Sequence, residues 1–220
     1  MNIIISDEIR QAAPAVIILT AEADVVNSPT PDALWNELTQ LADGMRAVMQ
    51  MPDINRRPGI AATRTLYKAL GKEPNRYRPS MEAMSRRLLK GMELYRIDTL
   101  VDLINLVSLS SGYAIGGFDA DKIQGDTLTL GVGREGEEFN AIGRGPLNIA
   151  CLPVYRDAVG GIGTPTSDEE RTKISLTTRR LMMTVNIYGE EMPVADTMTL
   201  ISRLLSEYAS ATNLKFNIYQ

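Results

Sequence analysis

The sequence of 220 residues contains no histidine and only one cysteine, Cys151. Without histidine the chain cannot form a Ser-His-Asp or Cys-His relay, and it lacks the commonest metal ligand. One cysteine cannot form an internal disulfide or a zinc cluster. Because Cys151 lies in the apolar run Leu147–Tyr155, we expect a buried thiol rather than a nucleophile. We expect no metal and no cofactor, so any catalysis would use carboxylates, hydroxyls, lysine, arginine, backbone N–H groups or water.

Long hydrophobic runs are also lacking. No apolar stretch approaches the roughly 20 residues that span a bilayer. The first ten residues, MNIIISDEIR, lack the basic region and following apolar region of a signal peptide. The hydrophobic fraction of 44% and the charged fraction of 23% are those of an ordinary globular protein. These features predict a cytoplasmic protein with one substantial core and no membrane partner.

Positive charge is concentrated in one part of a chain whose net charge is −4. About half of the 23 basic residues fall between Arg46 and Arg96, where acidic residues are few. A polarised surface suits a ligand that touches one face, and solvated helix faces explain the same pattern equally well. The candidates for contact with a polyanion are Arg56, Arg57, Arg64, Arg86, Arg87 and Lys90.

Hydrophobic periodicity predicts a mixed α+β fold. Helices are predicted over residues 30–48, Ile60–Leu70, the segment after Pro79, Thr99–Ser111 and Ala195–Ala211. Strands are predicted over Ala15–Ala21, Ala114–Phe118, Thr127–Val132, Glu138–Ile142, Ile149–Tyr155, Leu181–Ile187 and Leu214–Tyr219. No linker or internal repeat divides these elements, so we expect a single domain over residues 1–220.

The run Val101–Ile123, VDLINLVSLSSGYAIGGFDADKI, is the most specific pattern in the chain. It resembles the editing and tRNA-binding domain (modules B-three and B-four) of the phenylalanyl-tRNA synthetase β subunit. That family shows a V-D-x-x-N-x-V-x-x-x-x-G-x-P-x-x-x-F-D-x-D-K-I run at the same spacing, and Ala114 stands here in place of its proline. The matching residues are Val101, Asp102, Asn105, Val107, Gly112, Phe118, Asp119, Asp121, Lys122 and Ile123.

A second run, SDEERTKISLTTRR, resembles the S-K-I-T-x-N-T-K-N pattern of archaeal and eukaryotic forms of the same subunit. Its hydroxyls and cations follow a glycine-rich loop and suit a phosphate, a ribose or a carboxylate. A polar turn with a capping box between Ser167 and Glu170 is the alternative. The matching residues are Thr172, Lys173, Ile174, Ser175, Thr178 and Arg179.

The resemblance implies a small closed Greek-key barrel-like sheet with helices packed around it. It implies an N-terminal part over residues 1–74, an editing-domain-like core over 75–190 and a C-terminal helix and strand over 191–220. The implied function is translational: a free-standing tRNA-binding protein whose partner is tRNA or its aminoacylated 3′ end. Hydrolysis of a mischarged ester is its candidate activity, without aminoacylation. A non-catalytic module that binds a free amino acid or another metabolite is the alternative, and the sequence predicts no oligomeric state.

The resemblance also assigns candidate site residues. A water held by Thr172, Thr177 or Thr178, with backbone N–H groups facing the oxyanion, would suffice for ester hydrolysis. The six basic candidates would contact the tRNA. Gly116 and Arg171 stand where the family commonly has histidines, which weakens a tyrosine-specific editing role. The implied pocket residues are Arg96, Asn105, Gly116, Asp119, Arg171 and Lys173.

Two of these residues also have structural interpretations. Arg96 could form an ion pair with Asp98 or Asp102, which lie close to it in sequence. Asp119 could cap backbone N–H groups in the turn that it shares with Asp121. The sequence leaves both alternatives open.

Overall fold

The computed structural model describes residues 1–220 and contains two four-stranded sheets, a two-stranded ribbon and six α-helices. The strands are β1 (Asn2–Ile5), β2 (Ile17–Asp24), β3 (Ala114–Asp119), β4 (Thr127–Val132), β5 (Asn140–Ala141), β6 (Gly145–Pro146), β7 (Pro153–Arg156), β8 (Gly161–Gly163), β9 (Arg180–Ile187) and β10 (Thr212–Tyr219). The helices are α1 (Asp7–Ala12), α2 (Asp32–Val48), α3 (Pro58–Ala69), α4 (Ser80–Leu89), α5 (Thr99–Ser111) and α6 (Val194–Ala209). None of the helices has the length and apolar character needed to cross a bilayer.

The two large sheets have different topologies. The first has the order β1-β4-β7-β8, with β1 and β4 parallel and the other pairs antiparallel. The second has the order β10-β2-β9-β3 and is antiparallel throughout. The α+β prediction is confirmed. The predicted closed barrel is not formed, because the edge strands of one sheet do not pair with those of the other. The division of the chain at residues 74 and 190 stays a prediction.

The second sheet is the middle of three layers. Successive side chains of a strand point to opposite faces, and this alternation places Leu19 and Met183 against α2, α5 and α6. Ile18 and Met182 point the other way and pack against the first sheet, together with Leu128 of β4. Both faces of β2, β9 and β3 are therefore largely buried, whereas β10 at the far edge is mostly exposed.

Helix α5 carries most of the first matched run and has well-defined ends. The Asp98 side chain caps its start by accepting a hydrogen bond from Val101 N at 2.9 Å, and Gly112 ends it with a φ of 76°. Inside the helix, the buried Asp102 carboxylate accepts hydrogen bonds from the Thr30 hydroxyl and from Ile97 N. Burial raises the pKa of Asp102, while these hydrogen bonds lower it. Asp102 thus fixes the chain before α5 to its first turn.

Several sequence predictions differ from the structure. The predicted strand Glu138–Ile142 is reduced to β5, and the short strands β6 and β8 were not predicted. The segment before α2 begins with β1 and α1, which the periodicity did not reveal. The predicted strand Ile149–Tyr155 pairs only from Pro153, because Cys151 adopts a φ of 62° in a turn. The carbonyl groups of Asn148 and Ala150 accept hydrogen bonds from the Lys72 ammonium instead of a strand. Cys151 itself is partly exposed rather than buried.

Candidate functional site

A cavity of about 430 Å³ lies between α5, the edge strand β3 and residues 164–174. This volume falls within the roughly 300–1,000 Å³ typical of small-molecule sites. The walls are formed largely by isoleucine, valine and methionine side chains. The polar side chains that line it belong to Ser80, Asn105, Ser108, Thr164, Ser167, Asp168 and Lys173.

Gly117 keeps this cavity open at the edge of the second sheet. A Cβ atom at this position would lie 2.5 Å from Ile104 Cδ1 and 3.1 Å from Ile174 Cδ1. A side chain here would therefore displace these two isoleucines, which line the cavity. Because β3 is an edge strand, its outer backbone groups are also free to contact residues 164–174.

Asp168 is the only carboxylate that lines the cavity. Its Oδ2 accepts a hydrogen bond from Gly117 N at 3.2 Å, and it makes no ion pair with a lysine or arginine. Burial raises the pKa of Asp168 from 3.8 to about 7, with the Gly117 hydrogen bond acting weakly in the opposite direction. A carboxyl group that exchanges its proton near neutrality can act as a general base.

The other polar side chains of the cavity differ in their availability. The Ser108 hydroxyl donates a hydrogen bond to Tyr113 O at 2.6 Å, and the Lys173 ammonium is paired with Glu170. The Asn105 side chain makes no hydrogen bond within the protein, so its amide remains free for a ligand. No group of three or more acidic or cysteine side chains lies close enough together to hold a metal ion.

A groove of about 520 Å³ adjoins the cavity. Met84, Ile97 and Asn105 line both spaces, so the cavity and the groove lie on either side of these three residues. Five cationic side chains line the groove and make it a suitable path for an anionic chain. They belong to Arg78, Arg86, Arg87, Lys90 and Arg144.

The six basic residues predicted from sequence fall into two groups. Arg86, Arg87 and Lys90 line the groove, although Arg86 also donates to Glu82 at 2.8 Å. Arg56 lies outside the groove and pairs with Asp53 at 3.1 Å.

Arg57 and Arg64 make structural contacts instead. Arg57 Nε lies 2.6 Å from Glu191 Oε1, and its Nη1 donates to Leu109 O at 2.8 Å. Arg64 Nη1 lies 2.9 Å from Oε2 of Glu82, a fully buried carboxylate. Both arginine side chains are only 12% exposed, so neither belongs to an open cationic surface.

Only Asn105 and Lys173 among the predicted pocket residues line the cavity. Gly116 points to the opposite face of β3, where a Cβ atom would lie 2.7 Å from Phe118 Cζ and 2.8 Å from Thr184 Oγ1. Arg96 pairs with Asp32 at 2.7 Å, a partner different from Asp98 and Asp102, the two that the sequence suggested.

Asp119 and Arg171 hold the segment beside the cavity in place. Asp119 caps Asp121 N at 3.2 Å and accepts a hydrogen bond from the Thr178 hydroxyl at 2.9 Å. Arg171 donates two hydrogen bonds to Asp157, at 2.8 and 2.9 Å. Burial opposes the ionisation of Asp157, but the hydrogen bonds from Arg171 and from backbone N–H groups lower its pKa to about 2.

The three candidate catalytic threonines lie outside the cavity lining. Thr178 is buried and bonded to Asp119, and the exposed Thr177 hydroxyl lies 3.0 Å from Ser175 Oγ. Thr172 is also buried, and its hydroxyl has no hydrogen-bond partner. The structure does not bring these three hydroxyls together in one open site.

Sequence reasoning missed Asp168, Gly117 and Arg144. The one available signal for Asp168 was its place near the start of the second run, four residues before the first matching residue, Thr172, where its neighbours suggested only a capping box. Arg144 lies in the turn between β5 and β6, distant in sequence from the basic cluster. Their common site depends on contacts between segments that are far apart in the chain.

Comparisons with known proteins agree with the resemblance. The family model for the B3/4 domain matches residues 62–201. The phenylalanine–tRNA ligase beta subunit of Bartonella henselae is 35% identical over 107 residues, which make up 47% of this chain and 13% of that protein. An N-terminal fragment of the phenylalanyl-tRNA synthetase beta subunit from Pyrococcus horikoshii has a TM-score of 0.46 and 12% identity, over 98% of this chain and 50% of the fragment. The chain thus spans half or less of the length of these relatives.

Proposed function

The chain belongs to the B3/4 domain family, and from this premise we propose that it binds the aminoacylated 3′ end of a tRNA and hydrolyses the ester of a wrongly attached amino acid. The observation that carries the proposal is that the cavity and the cationic groove adjoin each other and share Met84, Ile97 and Asn105. The amino acid would occupy the cavity, and the phosphates of the tRNA would follow the groove. The proposal places the protein in the cytoplasm, where aminoacyl-tRNA is used.

The shared boundary of the two spaces defines where the ester would lie. Asn105 lines both spaces and has a free side-chain amide. An amino acid that points toward Gly117 would place its ester carbonyl near this boundary. The Asn105 amide could then donate a hydrogen bond to the oxygen that becomes negative during the reaction.

Asp168 is our candidate general base. The ionised carboxylate would accept a proton from water as the water oxygen bonds to the ester carbonyl carbon. Collapse of the tetrahedral intermediate would break the bond to the ribose oxygen, and Asp168 would return the proton to that oxygen. This route consumes one water and needs no histidine, metal or side-chain nucleophile.

The remaining predicted residues would act around this centre. The contacts of Asp119, Thr178 and Arg171 would position the segment that carries Asp168. Lys173 would bind a phosphate or carboxylate of the ligand once its ion pair with Glu170 is broken. Water held by Thr172, Thr177 or Thr178 remains the competing catalytic assignment.

Phosphate contacts would come from groove residues without buried carboxylate partners. Arg87, Lys90 and Arg144 fit this description, whereas Arg57 and Arg64 are engaged in the interior. Binding through these side chains would release counterions from the nucleic acid. The affinity should therefore fall steeply as salt rises.

Deacylation of mischarged tRNA tests the proposal. Tyrosyl and other non-cognate esters of the phenylalanine tRNA would be incubated at low salt with the wild type, Asp168→Asn, and Asp196→Asn as a matched control on an exposed face of α6. We expect release above the spontaneous rate that Asp168→Asn abolishes and Asp196→Asn retains. Release by Asp168→Asn that is lost in Thr172→Val would instead support the threonine assignment. The absence of release from every ester would refute the hydrolytic proposal.

A second function, the binding of a free amino acid, is favoured by the absence of an ion-pair partner for Asp168. A half-buried carboxylate without an ion-pair partner suits a cationic ligand, such as the ammonium group of a free amino acid. In this role the protein would bind an amino acid without tRNA and without turnover. A thermal-shift screen with free amino acids would detect such binding. Stabilisation of the wild type but not of Asp168→Asn would support this function.

A further inference from the structure

Tyr95 is a large aromatic side chain that projects from the protein beside the groove. It lies in the irregular segment between α4 and α5 and is 69% exposed. The Arg87 guanidinium carbon lies 4.4 Å from the centre of its ring. Arg87 is itself held by a hydrogen bond from its Nε to Glu93 O at 2.6 Å. A cation thus supports one side of an open aromatic ring.

Tyr95 and Arg87 lie close to the cavity, at a distance that a nucleotide could span. Tyr95 and Arg87 both line the groove, and Ile97, two residues further on, lines the groove and the cavity. Two residues of extended chain span about 7 Å. In an aminoacylated nucleotide only the ribose separates the ester from the base. A base that follows an amino acid into this site would therefore lie within reach of Tyr95.

We propose that Tyr95 and Arg87 form a stacking platform for the nucleobase of the terminal nucleotide. This inference rests on the proposed binding of an aminoacylated 3′ end and identifies the residues that hold its base. Exposed aromatic rings in cationic grooves bind single-stranded nucleic acids by stacking, and an adjacent arginine adds a cation–π contribution. The Tyr95 hydroxyl makes no hydrogen bond within the protein, so the ring is the functional part of the side chain.

Stacking uses the flat face of the base rather than its hydrogen-bonding edge. The platform should therefore tolerate any base and require that a base be present. Its contribution should be lost when the ring is replaced by an aliphatic side chain of similar bulk. It should be retained in Tyr95→Phe, which keeps the ring.

A double-mutant cycle between protein and nucleic acid tests the platform. A short single-stranded RNA with the tRNA 3′ terminal sequence and an amino acid attached through a stable 3′-amide, and the same aminoacylated RNA without the terminal base, would be titrated into wild type, Tyr95→Phe and Tyr95→Leu. Leu176→Ala serves as a control, because Leu176 is 52% exposed and lies outside the groove. Thermal unfolding of each variant would verify that the exposed substitutions leave the fold intact.

We expect Tyr95→Leu to weaken binding of the complete RNA about 10- to 100-fold, and Tyr95→Phe and Leu176→Ala to leave it unchanged. Removal of the terminal base should weaken binding to the wild type by a similar factor and have little further effect on Tyr95→Leu. If Tyr95→Leu weakened binding of both RNAs equally, or of neither, the stacking platform would be overturned. Salt-dependent binding of the RNA in the same experiment would still support the proposed function. Failure of every RNA to bind at low salt would overturn both.

Discussion

The backbone N–H of Gly117 donates a hydrogen bond to Asp168 Oδ2 across 3.2 Å. This bond joins the outer edge of β3 to the first residues of the second run. It also determines which way the carboxylate of Asp168 points. The other carboxylate oxygen remains available to water or a ligand. The contact thus fixes the position of the one carboxylate that lines the cavity.

The rate of ester hydrolysis should depend on the ionisation of Asp168. Its pKa is raised to about 7 by burial, and only the ionised form can accept a proton from water. We expect the single-turnover rate to rise about tenfold per pH unit below this pKa and to level off above it. The profile would be measured with a mischarged tRNA and corrected for spontaneous ester loss. A rate that is flat from pH 5 to 7 would contradict the assignment of Asp168 as base.

The same ionisation should reduce stability as the pH rises. Burial raises the pKa of Asp168 in the folded state to about 7, whereas the ordinary pKa of the free side chain is 3.8. Between these values the folded state binds more protons than the unfolded state, so the free energy of unfolding falls with increasing pH by up to about 4 kcal/mol in total. The Asp168→Asn variant lacks this ionisable group, so its free energy of unfolding should not fall in this way. Denaturant unfolding at pH 4 and pH 8 should show that the variant gains stability relative to the wild type only at the higher pH.

Alanine substitutions at the two adjacent glycines of β3 should separate binding from stability. The added methyl in Gly117→Ala meets the flexible ends of Ile104 and Ile174 and would narrow the cavity. In Gly116→Ala it meets the buried ring of Phe118, and overpacking of this kind costs about 1–3 kcal/mol. We expect Gly117→Ala to impair ligand binding more than folding and Gly116→Ala to do the reverse. Thermal unfolding and aminoacyl-ester binding would be measured on both variants. Equal effects of the two substitutions would argue against the placement of Gly116 and Gly117 on opposite faces of β3.

Charge reversals should locate the path of the phosphates. Lys90→Glu and Arg144→Glu each place a negative charge in the groove, whereas Arg56→Glu makes the same change outside it. We expect each groove variant to weaken tRNA binding and to reduce the slope of log K against log salt by about 1. Arg56→Glu should leave the slope unchanged. A larger effect at Arg56 would favour the original sequence-based surface over the groove.

Arg64 and Arg56 should differ strongly in their contribution to stability. Arg64→Ala removes one of the partners of the fully buried Glu82 carboxylate, which keeps Arg86, and should lower the free energy of unfolding by about 1.5–3 kcal/mol. Arg56→Ala removes an exposed ion pair and should change it by less than about 1 kcal/mol. Denaturant unfolding of both variants compares the values directly. Similar changes in the free energy of unfolding would mean that Arg86 alone compensates the buried charge of Glu82.

The sequence predicted local structure well where local signals were strong. The limits of α5 agree with the prediction, because Asp98 can cap its start and Gly112 can adopt the left-handed conformation at its end. The resemblance also identified Asn105 and Lys173, which line the cavity.

Other parts of the site depend on contacts that sequence patterns do not encode. A shift of one position along β3 distinguishes Gly117, which faces the cavity, from Gly116, which faces the first sheet. Arg57 looked like a surface cation because its partner, Glu191, is 134 residues away. Asp168 acquires its raised pKa only when the folded chain buries it beside β3.

The position of Asp168 beside an edge strand has a further consequence for self-association. An edge strand with free backbone N–H groups can pair with another copy of the chain, and proteins commonly obstruct such edges with charged side chains. The Asp168 side chain occupies one of these donors on β3 and places a carboxyl group where an incoming strand would have to lie. Because every residue of β3 is buried, this edge is closed to a strand of another molecule in the folded protein, and Asp168 supplies the partner that Gly117 N would otherwise lack.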